Sequence, residues 1–167
     1  MEIRVGQAFD AHRFETAADG GLAMPDPSHP LMLATLAIPD APRLVGHSDG
    51  DVAAHALTDA LLGAAGLGDL GSNFGVDRPE YAGASGRVFL ESAQQMLSAN
   101  GWRVINGGVQ VIGQIPRLAP YYDAASESLS NILQAPITFS ATTSDGMGFT
   151  GRKEGLAALG ICLLEKV

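Results

Sequence analysis

The order of periodic segments predicts an α/β protein of the α+β sandwich type: a single domain over residues 1–167, with one mainly four-stranded mixed sheet and helices on one face. Three observations carry this. Strand-like and helix-like runs follow one another as β, β, α, α, β, α, β, β. The helical run that begins near Asp51 has a small apolar face suited to close packing on a sheet. A chain of 167 residues, 46% hydrophobic, can bury one substantial core and is too short for two.

Taken in order, Glu2 to Gln7 reads as a short first strand leading into Phe9-Asp10-Ala11-His12. Residues 15–30 are rich in Gly, Ala, Asp, Pro and Ser without a period, which predicts a surface loop with His29 as a solvated side chain. Leu31 to Ile38 reads either as one bent strand or as two short strands in a hairpin, and Pro39-Asp40-Ala41-Pro42 ends it. Asp49 and Gly50 read as the turn and N-cap of a helix that starts near Asp51 and stops at Gly66-Leu67-Gly68. Residues 69–75 and 76–83 read as two loops, the second broken by Pro79. An amphipathic helix is expected over Ser85 to Asn100, with Val88, Phe89, Ala93, Met96 and Leu97 at helical spacing.

The second half reads as an interrupted strand from Trp102 to Gly113, a proline-bounded turn to Pro120, and a helix from Tyr121 whose Leu129, Ile132 and Leu133 face the sheet. Pro136 to Thr143 is the next strand, and a polar Gly-rich loop follows it. Leu156 to Val167 closes the chain as a strand whose blurred alternation implies burial on both sides.

Composition narrows the function classes. There are 18 acidic residues against 10 Lys plus Arg, with no basic run, so nothing resembles a nucleic-acid footprint. The lone Cys162 sits in an apolar run and reads as a small buried hydrophobe. No apolar span of membrane length and no basic-then-apolar leader is present, so a cytoplasmic protein with no membrane partner is expected.

Three groups carry chemistry. On an extended segment Asp10 and His12 lie two apart and share a side. Between Gly46 and Asp59, His47, Asp49, Asp51, His55 and Asp59 crowd one turn and the helix that follows. Asp51, His55 and Asp59 fall at i, i+4 and i+8, roughly on one face. An imidazole so flanked is a metal ligand held by an acid, or a hydrogen-bonded structural histidine. Together Asp10, His12 and His55 offer one oxygen and two nitrogens, a set suited to catalytic zinc with one position open. The third group, Thr142-Thr143-Ser144-Asp145-Gly146 through Arg152, offers hydroxyls and flexible backbone for phosphate oxygens, and an acid for magnesium. It lacks the spacing of a Walker A loop.

Phe9-Asp10-Ala11-His12, the run from His47 to Ala64, Leu67-Gly68-Asp69-Leu70-Gly71, Ala141-Thr142-Thr143 and Gly148-Phe149-Thr150-Gly151-Arg152 together closely resemble the 2-C-methyl-D-erythritol 2,4-cyclodiphosphate synthases. The resemblance implies a homotrimer with active sites between subunits, zinc or a similar divalent metal on Asp10, His12 and His55, and Mg2+ or Mn2+ on the diphosphate of a cytidyl substrate. It assigns His47 and Thr143 to the reacting phosphates as catalytic residues, with Ser48 beside them. It gives Asp69 and Gly71 to the methylerythritol hydroxyls, and counts Leu70, Phe74 and Asp77 among the substrate-binding residues. The cytidine turn is Gly113, Gln114, Ile115, Pro116, Arg117, Leu118 and Ala119. Thr142, Ser144 and Asp145 fall to the diphosphate and its metal, and Phe149 and Arg152 to the far end. Asp51 and Asp59 are implied to orient His55 or the site, with Asp51 alternatively a helix cap.

The chain departs from the resemblance at Asp145-Gly146, where Glu-Lys is common, at Gly75-Val76-Asp77-Arg78, in a longer loop over residues 15–30, and at Lys153 in place of glycine. Two further readings fit the residues: a zinc-dependent phosphoester hydrolase using metal-bound water, and a non-catalytic trimeric metal-binding protein.

Overall fold

The computed structural model describes residues 2–75 and 77–167, so Val76, in the loop expected over 76–83, lies outside the described residues. The elements are β1 (Ile3–Arg13), β2 (Leu31–Leu33), β3 (Leu36–Ile38), α1 (Val52–Ala65), α2 (Leu70–Phe74), α3 (Gly86–Ala99), β4 (Trp102–Ile112), α4 (Tyr122–Leu133), β5 (Ile137–Thr142), α5 (Gly148–Gly151) and β6 (Gly155–Lys166). The main sheet is four-stranded in the order β1-β6-β4-β5. β6 runs antiparallel to both neighbours, while β4 and β5 are parallel, so the sheet is mixed as expected. Of the two possibilities for Leu31 to Ile38, the hairpin forms, as a separate two-stranded sheet.

Helix α1 packs on β1 and β6, α4 on β5, and α3 on α1, α4 and β4. The contact of α1 with the sheet is close because both sides are small. Gly6 of β1 lies under Ala60 and Ala64, and Gly160 of β6 under Ala56, where an added methyl would come to 2.5 Å from the Ala56 carbonyl oxygen. Alanines at 56, 60 and 64 repeat every four residues and so form one stripe down the helix. This contact holds α1 against β1, with Asp10 and His12 on the same side of the strand as Gly6.

The opposite side of the sheet is bare in the single chain. Ile3, Val5, Phe9, Leu159 and Ile161 are exposed there. The expectation that β6 is buried on both sides is therefore corrected: burial is continuous only over Gly155–Ala158, and beyond that exposed and buried residues alternate.

Other expectations change for local reasons. β1 runs past Gln7 to Arg13, because β6 pairs with it along its whole length, from Ile3 opposite Glu165 to Arg13 opposite Gly155. The N-cap of α1 is Asp51, whose carboxylate accepts from Ala54 N at 3.0 Å, and not Asp49 or Gly50. Residues 70–74 form a short helix instead of a loop, since Asp69 and Ser72 make a reciprocal capping box at its start. On α3 the buried side is Phe89, Leu90, Ala93 and Leu97, and Val88 points out. Among the described residues no helix is long and apolar enough to cross a membrane.

If the glycine contact sets the height of α1 over the sheet, Gly160→Ala forces an overpacked interface and lowers unfolding free energy by about 2 kcal/mol. Urea denaturation of the two proteins measures this, and an unchanged midpoint would show that the helix shifts at no cost.

Candidate metal centre

The metal-ligand set is assembled from two elements. β1 supplies Asp10 and His12, and the first turn of α1 supplies His55, which is 5% exposed. Asp10 Oδ2 lies 3.0 Å from His12 Nε2 and 3.2 Å from His55 Nδ1, and the two nitrogens are 3.1 Å apart. Zinc bonded at about 2.0–2.1 Å to ligands at tetrahedral angles separates them by about 3.3 Å, close to the sides of this triangle. The donors and their spacing fit a divalent metal, and all three residues line the neighbouring cavity, from which a fourth ligand could come.

Each ligand is held by a further bond. Asp10 Oδ1 accepts from Ala11 N at 2.9 Å, leaving Oδ2 toward the imidazoles. His12 Nδ1 donates to the Val45 carbonyl at 2.7 Å, so Nε2, which faces Asp10, is the nitrogen left to a metal. His55 Nε2 lies 3.0 Å from Ser48 Oγ, and its ring meets Phe89 edge-on at 5.6 Å. Burial pushes the Asp10 carboxyl upward, but hydrogen bonds from His12 and His55 and their charges outweigh it and hold Asp10 well below the usual carboxylate range. Burial also works against the charged form of His12, yet its bonds to Asp10 and the Val45 carbonyl leave it above the ordinary imidazole value.

A cavity of about 440 Å³ opens beside the triangle, lined by Asp10, His12, His47, Ser48, His55, Asp59, Leu70, Gly71, Phe74, Gly75, Asp77 and Phe89. Ten of the residues singled out in the sequence thus share one space. Asp59 does not bond the ring of His55: its carboxylate accepts from Leu70 N at 2.5 Å and fixes the start of α2 at the cavity wall. Burial raises its carboxyl, and repulsion from Asp69 and Asp10 adds to that, against the pull of the Leu70 N–H. Asp69 stands outside the lining as the cap of α2.

Asp51 does not orient His55 through its side chain. It is fully buried and accepts from Ala34 N at 2.9 Å and Thr35 N at 2.7 Å as well as from Ala54 N. It therefore fastens the β2–β3 turn, where Ala34 and Thr35 sit at φ 50° and 67° without glycine, to the start of α1. Of the alternatives left open for Asp51, the structure realises the helix cap.

A second cavity, about 270 Å³, gathers Gly113, Gln114, Ile115, Pro116, Arg117, Leu118 and Ala119 with Thr142 and Thr143. It shares no lining residue with the first. Both lie at one end of the sheet, because Leu156 of the second pairs with His12 of the first. The loop beyond it is tied locally. Ser144 Oγ donates to the Met147 carbonyl at 2.6 Å, Thr143 Oγ1 lies 3.3 Å from Asp145 Oδ1, and Arg152 pairs with Glu154 at 2.6 Å. Phe149 is partly exposed on α5. Within one chain this loop does not join the metal cavity.

Sequence reasoning missed Val45 and Phe89 as parts of this site. Val45 acts through a backbone carbonyl, which any residue supplies, and Phe89 reads as ordinary core on α3.

The fold and site define an α+β protein with a candidate divalent-metal site at one end of a mixed sheet. Comparison with known proteins makes this specific. The family model described as the YgbB family matches residues 3–165. The 2-C-methyl-D-erythritol 2,4-cyclodiphosphate synthase of Cutibacterium acnes is 43% identical over 167 residues, covering 99% of this chain and 93% of that protein. The "Bifunctional enzyme IspD/IspF" of Clavibacter michiganensis is 47% identical over 142 residues, and the match covers 85% of this chain but 35% of that longer protein. A solved 2C-methyl-D-erythritol-2,4-cyclodiphosphate synthase in its CDP-bound form superposes with a TM-score of 0.82 at 33% identity, covering 97% of this chain and all of that one. The chain belongs to the YgbB family, that of the 2-C-methyl-D-erythritol 2,4-cyclodiphosphate synthases.

Removing His55 takes one corner from the triangle. His55→Ala is expected to weaken zinc binding by more than about a hundredfold, the upper range for loss of a ligand's outer partner. Competition with a chromophoric chelator measures it, and an affinity near that of the parent protein would place the metal elsewhere.

Proposed function

We propose that the protein converts 4-diphosphocytidyl-2-C-methyl-D-erythritol 2-phosphate to 2-C-methyl-D-erythritol 2,4-cyclodiphosphate and CMP, as a phosphorus–oxygen lyase of non-mevalonate isoprenoid biosynthesis, in the cytoplasm. The observation that carries this is the Asp10–His12–His55 triangle at the mouth of a cavity, in a chain that matches the family over residues 3–165.

The electrostatics of the cleft support metal-assisted chemistry. Its lining includes three carboxylates, Asp10, Asp59 and Asp77, in a chain of net charge −8. Protein charge there repels phosphates, so cations have to hold them. Zinc on Asp10, His12 and His55, and Mg2+ or Mn2+ on the diphosphate, would draw charge from the phosphoryl oxygens as the transition state forms.

The chain's own residues position the reactants. His47 and Ser48 donate to phosphate oxygens. Asp69 and Gly71 meet the methylerythritol hydroxyls, with Leu70, Phe74 and Asp77 as further contacts to the substrate. Residues 113–119 cradle cytidine largely through backbone groups. Thr142, Thr143, Ser144 and Asp145 meet the diphosphate, and Phe149 and Arg152 close the far end. The substrate's 2-phosphate oxygen forms a bond to the β-phosphorus as the bond from that phosphorus to the bridging oxygen breaks, and CMP carries the bridging oxygen away. The attacking group is already an ionised phosphate, so no protein nucleophile is needed and no water is consumed.

The separation of the two cavities within one chain, together with the exposed apolar side of β1 and β6, supports a homotrimer in which one subunit's metal cavity faces its neighbour's cytidine turn.

Mass spectrometry of the product, with zinc and magnesium present, is expected to show a cyclic diphosphate plus CMP, with turnover lost on chelation. A linear product heavier by one water would mean hydrolysis. Asp10→Ala and Thr143→Ala chains, each inactive alone, are expected to recover activity when mixed, because some interfaces then pair two intact halves. Mixtures that stay inactive would contradict a shared site.

A further inference from the structure

Both imidazoles of the metal triangle are held from behind by one short stretch, residues 45–49. The Val45 carbonyl accepts from His12 Nδ1 at 2.7 Å, and Ser48 Oγ lies 3.0 Å from His55 Nε2. Between them, Gly46 runs against the ring of His12: a methyl there would sit 2.9 Å from Cε1 and 3.1 Å from Nδ1. The stretch is itself anchored on two sides. Asp49 Oδ1 accepts from Asp51 N at 3.0 Å, and Oδ2 accepts from Gly86 N at 2.8 Å, tying it to the starts of α1 and α3. Asp49 N donates to the Ala84 carbonyl at 3.1 Å, and Gly83 N to the His47 carbonyl at 3.0 Å.

We infer that residues 45–49 form a single bracket that presets the metal site before metal arrives, with Gly46 and Ser48 as positioning residues. The inference rests on Asp10, His12 and His55 as the metal ligands. A carbonyl can only accept, so His12 keeps its proton on Nδ1 and offers Nε2. His55 offers Nδ1, so its proton is on Nε2 and is donated to Ser48 Oγ. The two imidazoles therefore ligate through opposite nitrogens, each fixed by an acceptor from the same bracket. Ser48 keeps its own hydroxyl proton for an anion in the cavity it lines, so one hydroxyl links the metal ligand to a bound phosphate.

Gly46 matters for its lack of a side chain. Its φ is not in the left-handed region, so the backbone accepts alanine, and the obstacle is the His12 ring. Gly46→Ala turns that ring and carries Nε2 out of the triangle.

The test is zinc affinity by chelator competition, in the full-length protein without substrate, for the parent, Ser48→Ala, Ser48→Thr, Gly46→Ala and Asp10→Ala. Ser48→Ala and Gly46→Ala are expected to bind zinc about tenfold or more weakly, with thermal midpoints of the metal-free proteins unchanged, and Ser48→Thr is expected to restore affinity. Imidazole 15N shifts of the zinc-loaded parent are expected to show a protonated Nδ1 on one ring and a protonated Nε2 on the other. If zinc affinity falls in Asp10→Ala but stays at the parent value in Ser48→Ala and Gly46→Ala, the bracket is wrong while the metal site stands. If the parent binds no zinc, or Asp10→Ala binds as tightly as the parent, the metal assignment itself fails.

Discussion

The close approach of α1 to the β1–β6 pair is the constraint on which the site depends. His55 belongs to a helix, Asp10 and His12 to a strand, and a triangle with sides of 3.0 to 3.2 Å between them tolerates little error in the height of the helix. Glycines in the strands and alanines in the helix set that height through backbone contact, without adjustable side chains between the layers. Cys162 adds a bond from its thiol to the Ala60 carbonyl in the same layer. The architecture behind the candidate metal centre is thus small and rigid, with Asp10, His12 and His55 held in front of it.

Acidic residues around the site divide their work by burial. Asp10 is kept ionised by its two imidazole neighbours and faces the metal position. Asp51, Asp59 and Asp49 instead accept backbone N–H groups, at Ala34, Thr35, Ala54, Leu70, Asp51 and Gly86. These bonds fasten the β2–β3 turn, the start of α2 and the start of α3 around α1. The starts of α2 and α3 are therefore tethered by Asp59 on the helix of His55 and by Asp49 just before it. Beside these tethers, Phe74, Tyr81 and Phe89 pack on one another with ring centres 5.1 to 6.1 Å apart, and Phe89 carries that packing to His55.

Much of this was legible in the sequence where a local rule decides the outcome. The helix after Asp51 shows its small apolar face and its terminal glycine, and it carries His55 close to its start. Asp10 and His12 two apart on a strand announce the partner ligands. Other features depend on distant parts of the chain. β1 continues past Gln7 because β6, more than 140 residues later, pairs with it as far as Arg13. Asp51 reads as a neighbour of His55 by helical spacing, but at an N-cap its side chain turns back to backbone groups of α1 and a hairpin 16 and 17 residues away. The Val45 carbonyl has no signature at all, since every residue has one. The exposed side of β6 was read as buried because Leu159 and Ile161 are apolar, and a single chain leaves them open.

The most direct test of the metal centre is the zinc X-ray absorption spectrum of the metal-loaded protein. Two imidazoles and light oxygen ligands at about 2.0–2.1 Å are expected, with one imidazole signal lost in His55→Ala. A spectrum with a single imidazole in the parent, or one unchanged by His55→Ala, would contradict the claim that α1 and β1 meet at one metal.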